Sequence, residues 1–472
     1  MLPDMEQTVV FVPAPGIGHM LSTLEFASLL LNLRDDVHVS VLIMPMPLAP
    51  SVDSYIQSIT AKWQRMRIIN LPVVPPPPTE TLFKSSEKYI CDFIESNTNN
   101  VKSAIVDIKA SCGREGKRVA GLVVDFFCGP LAEVAKELSL DIFIFLTSNA
   151  GFLRFMEFLA TQDDSFKLFD CEYHVPGFRN PVPASVLPSA CFNREGGYEA
   201  YLNVARRFKD VKGVVINTFS ELESEAIDCG RDNTPKIYPV GPILNKGHTS
   251  PEMDQSNYEK VLEWLDKQPD GSVVFLCFGS LGGFPEFQVR EIANGLDRAN
   301  CRFLWHLRLP PVIPNVEETY SRVSTPEELL PEGFLARVEG KGMLCGWVKQ
   351  VEVLEHRAIG GFVSHCGWNS TLESVWHGVP QAAFPIFAEQ QLNAFMMVKE
   401  HRLAIEVKMD ARPGVNVVTA EEVESAVRRM MEEGEARARV RKMGRIARKA
   451  VSECGSSRLA LRQFAHDLPC TL

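Results

Sequence analysis

Short runs of almost wholly apolar residues, separated by amphipathic stretches, limit this chain more than any other feature. The runs are TVVFVP, VHVSVLIM, AGLVVD, DIFIFLTS and GVVINTF in the first half, and SVVFLCFGS, RFLWHLR, GGFVSH and QAAFPI in the second. Each has the length of a strand, and unbroken apolar character means burial on both faces, as in a parallel sheet covered by helices. Between the runs, Met20, Leu24, Ala27 and Leu31 fall at three- and four-residue spacing, as do Val289, Ile292 and Leu296, which predicts amphipathic helices. Strand and helix in alternation define an α/β chain with parallel sheets.

At 472 residues the chain is too long for one hydrophobic core, so two domains are expected. The Pro-, Gly- and polar-rich stretch PVGPILNKGHTSPEMDQS puts the boundary between Tyr238 and Gln255, giving domains of residues 1–245 and 246–454. A stretch beginning at Leu309, LPPVIPNVEETYSRVSTPEELLPEG, reads as a long surface loop, and Pro75–Pro78 as a stiff connector. Two doubly wound, Rossmann-like domains would face each other across a cleft between their strand carboxyl ends.

Charge narrows the partners. With 49 Lys and Arg against 59 Asp and Glu, the net charge is −10, which argues against a nucleic-acid partner. A small anion is still possible, because a helix N-terminus can hold one locally. None of the 12 cysteines forms a C-x-x-C pair, so neither zinc nor a thioredoxin-type motif is suggested, and buried thiols imply a reducing compartment. The start MLPDMEQTVVFV has no signal-peptide pattern, and no run is long enough to span a membrane. A cytoplasmic monomer without stable membrane insertion is the expectation. The basic run ARARVRKMGRIARKA reads as a solvated amphipathic helix. His356, His377 and His401 read as surface or packing residues.

The densest chemistry lies in WVKQVEVLEHRAIGGFVSHCGWNSTLESVWHGVPQAAFPIFAEQ, from Trp347 to Gln390. The strand GGFVS leads to His365, Cys366-Gly367 turns, and a helix is expected from about Asn369-Ser370 to Gly378 and Pro380. Ser370 and Glu373 have capping-box spacing and could serve only that end. Yet the same helix start offers free backbone N–H groups and a positive dipole end beside an imidazole, which suits a diphosphate.

This segment resembles the signature box of plant family 1 UDP-sugar-dependent glycosyltransferases, which have the GT-B fold. The likeness extends through PAPGIGH, VVDFFC, FLTSNA, PVGPI, VVFLCFGS and EQQLNAF. It points to the subgroup acting on small hydroxylated plant metabolites such as flavonoids, phenolics and terpenoids. The resemblance implies an acceptor-binding first domain, a donor-binding second domain, and a final helix, about 455–472, packing back on the first. It also implies that Trp347 stacks on uracil, with the Val348 backbone at its edge, and that Gln350 and Glu373 hold the ribose. His365, Asn369, Ser370 and the Gly367 backbone would bind the diphosphate, joined by Ser280. Trp368, Glu389 and Gln390 would contact the sugar, and Gln at the last position is typical of glucose users. One departure stands out: Lys349 occupies a position where the family usually has Pro. Lysine restores an N–H and frees φ, which leaves donor affinity and sugar choice open. The simpler reading has Lys349 pointing to solvent.

PAPGIGH places His19 after the first strand, in the loop before a helix beginning near Met20, with Gly16 and Gly18 permitting a tight turn. Leu21 occupies the third glycine position of G-x-G-x-x-G, so a nicotinamide site is not expected. The helix dipole should lower the pKa of His19 and favour the neutral base. Asp125 ends AGLVVD, and strand ends of one parallel sheet converge, so Asp125 could orient His19 even if it also caps a helix. The resemblance assigns these two residues as base and orienter. The expected reaction is inverting transfer from UDP-glucose as co-substrate to a small-molecule hydroxyl, giving a β-glucoside. No cofactor or metal is expected, and the chain contains no D-x-D. Phe152–Phe158, with Cys191 and Phe192, would supply an apolar acceptor wall. The alternatives are another UDP-sugar enzyme on this scaffold, an epimerase or hydrolase, or a non-catalytic sugar-nucleotide sensor.

Overall fold

The computed structural model describes residues 6–46, 53–162, 171–230, 234–245, 253–279, 282–309, 325–410, 417–432 and 434–468. The first half builds a parallel sheet from β1 (Gln7–Val12), β2 (Val37–Ile43), β3 (Met66–Asn70), β4 (Arg118–Asp125) and β5 (Ile142–Leu146). A two-residue antiparallel pair follows, β6 (Glu172–Tyr173) with β7 (Val182–Pro183); β8 (Gly213–Ile216) and β9 (Lys236–Pro239) then complete the sheet. Its order is β3-β2-β1-β4-β5-β8-β9. The second sheet contains β10 (Val273–Cys277), β11 (Arg302–His306), β12 (Gly342–Cys345), β13 (Ile359–Ser364), β14 (Gln381–Ala383) and β15 (Ala404–Glu406), in the order β12-β11-β10-β13-β14-β15. Both sheets are parallel throughout, as the apolar runs predict. Together they form the two Rossmann-like halves of a GT-B architecture.

Strand periodicity accounts for the unbroken apolar runs. Val10, Val12, Leu122, Val124 and Ile144 enter the core on one side of the first sheet. Their neighbours Val9, Phe11, Val123, Phe143 and Phe145 enter the core on the other. The nine runs read from sequence are all strands. Six further strands were not: the short pair β6 and β7, and β3, β9, β12 and β15, which are the edges of the two large sheets. An edge strand faces less protein, so charged and polar residues interrupt it, as in MRIIN and KIYP.

The helix Ile17–Leu33 buries Met20, Leu24, Ala27 and Leu31 as its spacing predicts, and Glu286–Ala299 buries Val289, Ile292 and Leu296. The basic run is the helix Glu435–Ala450, which packs Val440 and Ala447 against Leu372 and Val375 of the helix Trp368–His377. Of the stretch after Leu309, residues 310–324 lie outside the described residues. The final helix, Ser456–Asp467, returns to the first sheet. There Phe464 meets Phe26, Phe143 and Tyr238 at ring distances of 5.5, 5.2 and 5.5 Å. The Tyr238 hydroxyl donates to Asp467 at 2.8 Å, and Arg34 donates to the Ala465 carbonyl at 2.9 Å. Among the described residues, no helix is long and apolar enough to cross a membrane. All described cysteines are free thiols.

Candidate active site

Parallel register brings the strand ends of the first sheet together. Asp125 ends β4 beside Phe145 of β5, and β1 leads directly into the helix carrying His19. His19 Nδ1 lies 2.7 Å from Asp125 Oδ2, across 106 residues of sequence. Asp125 Oδ1 accepts the Phe127 N–H at 3.0 Å, so this carboxylate both caps the turn Phe126–Leu131 and orients the imidazole. Thr147 Oγ1 stands 3.1 Å from the same His19 nitrogen. Sequence reasoning missed Thr147, although its place at the end of DIFIFLTS gave the same strand-end signal that marked Asp125.

Two details differ from expectation. His19 lies in the first helical turn, not in a loop before it, and neither Gly16 nor Gly18 has a positive φ. The role of Gly16 is to leave room, since a Cβ there would stand 3.3 Å from the His19 ring. Nor is the imidazole depressed. Burial pulls it down, but the charge and hydrogen bond of Asp125, with the Glu389 charge, carry it above its ordinary 6.5. The Phe126 and Phe127 rings lie 5.6 and 5.8 Å away, and Phe126, Phe152 and Tyr201 continue the aromatic wall. Phe158 instead turns to Tyr173 and leaves this wall.

Opposite stands the end of β13. Cys366 takes a φ of 62°, Gly367 is the N-cap without a side-chain cap, and the helix runs Trp368–His377 to Gly378 at φ 69°. The first helical bond is from Thr371 N to Gly367 O, which leaves the preceding amides open to a ligand. The capping box does not form. Ser370 and Glu373 lie inside the helix and both accept from Gln350 Nε2, at 2.8 and 2.7 Å. Burial, opposed by the Gln350 bond, pushes the Glu373 carboxyl up to about 7.

His365 is held between two glycines. A Cβ at Gly279, whose φ is +78°, would stand 2.7 Å from its Nε2, and one at Gly367 would stand 2.5 Å from it. Burial pushes its pKa down to about 4, so the ring is neutral at physiological pH. A hydrogen bond with the Cys277 backbone opposes that burial without overcoming it. Trp347, Val348, Gln350, Ser370 and Glu373 line one cavity of about 170 Å³ with Gly279, His306 and Ile17. The structure therefore gathers five of the residues predicted for the donor. It adds His306 and Gly279, which fall outside the box, Gly279 within the VVFLCFGS segment that leads to Ser280. Ser280 lies outside the described residues.

Other predicted contacts are placed differently. The Trp368 indole is 2% exposed and donates to the Asn217 carbonyl at 2.7 Å, so any sugar contact must use its backbone. Asn369 crosses to the helix Ile17–Leu33, donating to Gly18 O at 3.5 Å and accepting from Ser22 Oγ at 3.3 Å. Gln390 Oε1 accepts from the Ile386 and Phe387 amides at 2.9 and 3.1 Å, which leaves Nε2 as its donor. Glu389 lies close enough to His19 for each charge to shift the other's titration. Lys349 does not simply point to solvent. Its Nζ pairs with Glu352 at 3.0 Å and lies 5.6 Å from the Tyr258 ring, while the Tyr258 hydroxyl donates to Glu352 at 2.7 Å. Among the described residues, no group of three or more His, Cys, Asp or Glu could hold a metal ion.

A histidine held by a carboxylate at one strand edge, and an open helix start beside a cavity on the facing edge, suit a transferase that uses an activated, phosphate-bearing donor. Residues 241–450 match the family model for UDP-glucoronosyl and UDP-glucosyl transferases. UDP-glycosyltransferase 71K1 of Malus domestica is 44% identical over 476 residues, covering 98% of each chain. Flavonol 3-O-glucosyltransferase UGT71C4 of Arabidopsis thaliana is 44% identical over 482 residues, again with 98% of each covered. Among solved structures, Medicago truncatula UGT71G1 complexed with UDP-glucose superimposes with a TM-score of 0.90 at 44% identity, covering 98% of both chains. A UGT transferase from Siraitia grosvenorii in complex with UDP gives 0.85 at 39%, covering 98% of this chain and 99% of that one. The chain belongs to the plant UDP-glycosyltransferases of the UGT71 type, and it is a glycosyltransferase enzyme.

The backbone of Lys349 already has φ −73°, inside the proline range. Lys349→Pro should therefore change UDP affinity by no more than about threefold, the scale of a lost exposed ion pair, in a calorimetric titration. A loss of a hundredfold would mean that the lysine side chain itself holds the nucleotide.

Proposed function

We propose that this enzyme transfers glucose from UDP-glucose to hydroxyl groups of small apolar plant metabolites, with inversion, using His19 as general base. The observation that carries the reading is the His19–Asp125 bond of 2.7 Å with the imidazole still 29% exposed. In this reading, residues 1–245 hold the acceptor and 246–454 the donor, with the final helix, about 455–472, completing the first domain.

Uracil stacks on Trp347, with its edge on the Val348 backbone, while Gln350 and Glu373 hold the ribose. The β-phosphate meets the open amides at Gly367–Ser370, the Asn369 side chain and the neutral His365 as a hydrogen-bond donor. Glu389 and Gln390 Nε2 take the glucose hydroxyls. The acceptor hydroxyl gives its proton to His19 Nε2 as its oxygen bonds to the anomeric carbon and the bond to the UDP oxygen breaks. The Asp125 carboxylate stabilises the imidazolium then formed, through the N–H on Nδ1. Negative charge growing on UDP is met by the helix start. The wall of Phe126, Phe127, Phe152 and Tyr201 suits an apolar aglycone. Flavonoid, phenolic and terpenoid alcohols fit it, and a relative named as a flavonol 3-O-glucosyltransferase supports the flavonoid class.

His19→Ala should leave UDP affinity within about twofold and lower transfer to a phenol by roughly 10²–10⁴-fold. Near-normal turnover would remove His19 from the role. In wild type, the acid limb of kcat/KM should have its midpoint above 6.5 and activity should rise with pH, since the imidazole must lose its proton to act. Asp125→Asn removes the charge that raises His19, so the limb should move to lower pH as the maximal rate falls.

Sugar choice gives a second check. With both donors present, UDP-glucose should outcompete UDP-galactose, read by mass spectrometry of the products after chromatographic separation. Preferential galactose transfer would contradict the role given to Gln390.

A further inference from the structure

The segment that carries Glu389 and Gln390 follows β14 of the second sheet, but its polar groups are bonded to the first domain. The Ala388 N–H donates to Ser189 Oγ at 2.9 Å, and the Ser189 N–H donates back to the Ala388 carbonyl at 2.8 Å. Gln391 Nε2 donates to the Leu187 carbonyl at 2.6 Å. Asn149 Nδ2 donates to Asn393 Oδ1 at 2.6 Å, and Asn393 Nδ2 continues to the Cys366 carbonyl at 3.0 Å. Asn149, Gln391 and Asn393 are fully buried, so breaking the bonds these three side chains make leaves polar atoms without water.

Two further observations show what this latch controls. Ala388 has a φ of 58°, a left-handed conformation that a residue with a Cβ rarely keeps unless its surroundings hold it. The reciprocal Ser189 bonds grip that residue, directly before Glu389. On the first-domain side, the latch residues adjoin the acceptor side of the cleft. Ser189 opens the turn Ser189–Phe192, which carries Cys191 and Phe192, and Asn149 stands two residues beyond Thr147.

We propose that Ser189 is a positioning residue that couples the acceptor wall to the sugar-reading loop, setting Glu389 and Gln390 against His19 through Ala388. The inference rests on the proposed sugar contact of Glu389 and Gln390. The nucleotide cavity lies apart from the latch, because none of Leu187, Ser189, Ala388 or Gln391 lines it. Loss of the latch therefore loosens the sugar and leaves the nucleotide held. A role confined to stability would weaken UDP and UDP-glucose binding together.

The test compares Ser189→Ala, which loses the hydroxyl, with Ser189→Thr, which keeps it. Dissociation constants for UDP, UDP-glucose and UDP-galactose are measured by calorimetry, and kcat is measured with quercetin as probe acceptor. In Ser189→Ala, UDP affinity should stay within about twofold of wild type, the preference for UDP-glucose over UDP-galactose should fall, and kcat should drop by roughly 10- to 100-fold, the scale of a small misplacement of reacting groups. Ser189→Thr should restore all three. Unchanged sugar preference in Ser189→Ala, or equal losses for UDP and UDP-glucose, would overturn the proposal. If Ser189→Ala does not fold, amide exchange in wild type decides: saturating quercetin without donor should slow exchange at Ala388, and unaltered exchange would overturn the coupling. Should wild type transfer no glucose, the functional reading fails separately, and the binding ratios still judge the latch.

Discussion

The site depends on two helix N-termini that face each other across the cleft, one beginning at Ile17 and the other at Trp368. Each presents unpaired amides and a partial positive charge, so by themselves the two ends repel. Asn369 spans the gap to Gly18 and Ser22, and the remaining field favours an anion between them. A diphosphate answers that field without any lysine or arginine in the signature turn. This is how a chain with a net charge of −10 can use an anionic donor: the positive potential is confined to one cleft.

Two histidines at this junction show how environment divides one chemistry into two roles. His19 has a carboxylate on Nδ1 and is raised; His365 is enclosed by Gly279 and Gly367 and lowered to about 4. The first therefore holds its proton to higher pH than a free imidazole does, as suits the base proposed for it. The second stays neutral at physiological pH. Separation of titrations by burial and by a neighbouring charge is a general way to assign such roles.

Much of the architecture was legible in the sequence because central strands are covered on both faces and so carry continuous apolar runs. β3, β9, β12 and β15 escaped notice because edge strands lack that continuity. The signature segment also marked most of the cavity beside the helix start, since Trp347, Gln350, Ser370 and Glu373 lie close along the chain. What sequence could not reveal was which polar groups meet across the cleft. Asn149 and Asn393 are 244 residues apart, and Ser189 and Ala388 are 199 apart, with no local pattern announcing either pair. The Ser370–Glu373 spacing misled for the opposite reason: it fits a local cap, but Gln350 draws both side chains into a tertiary contact.

The proposed inverting transfer is a single displacement in which the base and the leaving diphosphate lie on opposite sides of the anomeric carbon. The most direct measurement is proton NMR of the glucoside as it first forms from α-linked UDP-glucose and a phenolic acceptor. β-Glucoside alone is expected from the earliest time point. An α-glucoside as first product would contradict it, because the configuration would then have been retained.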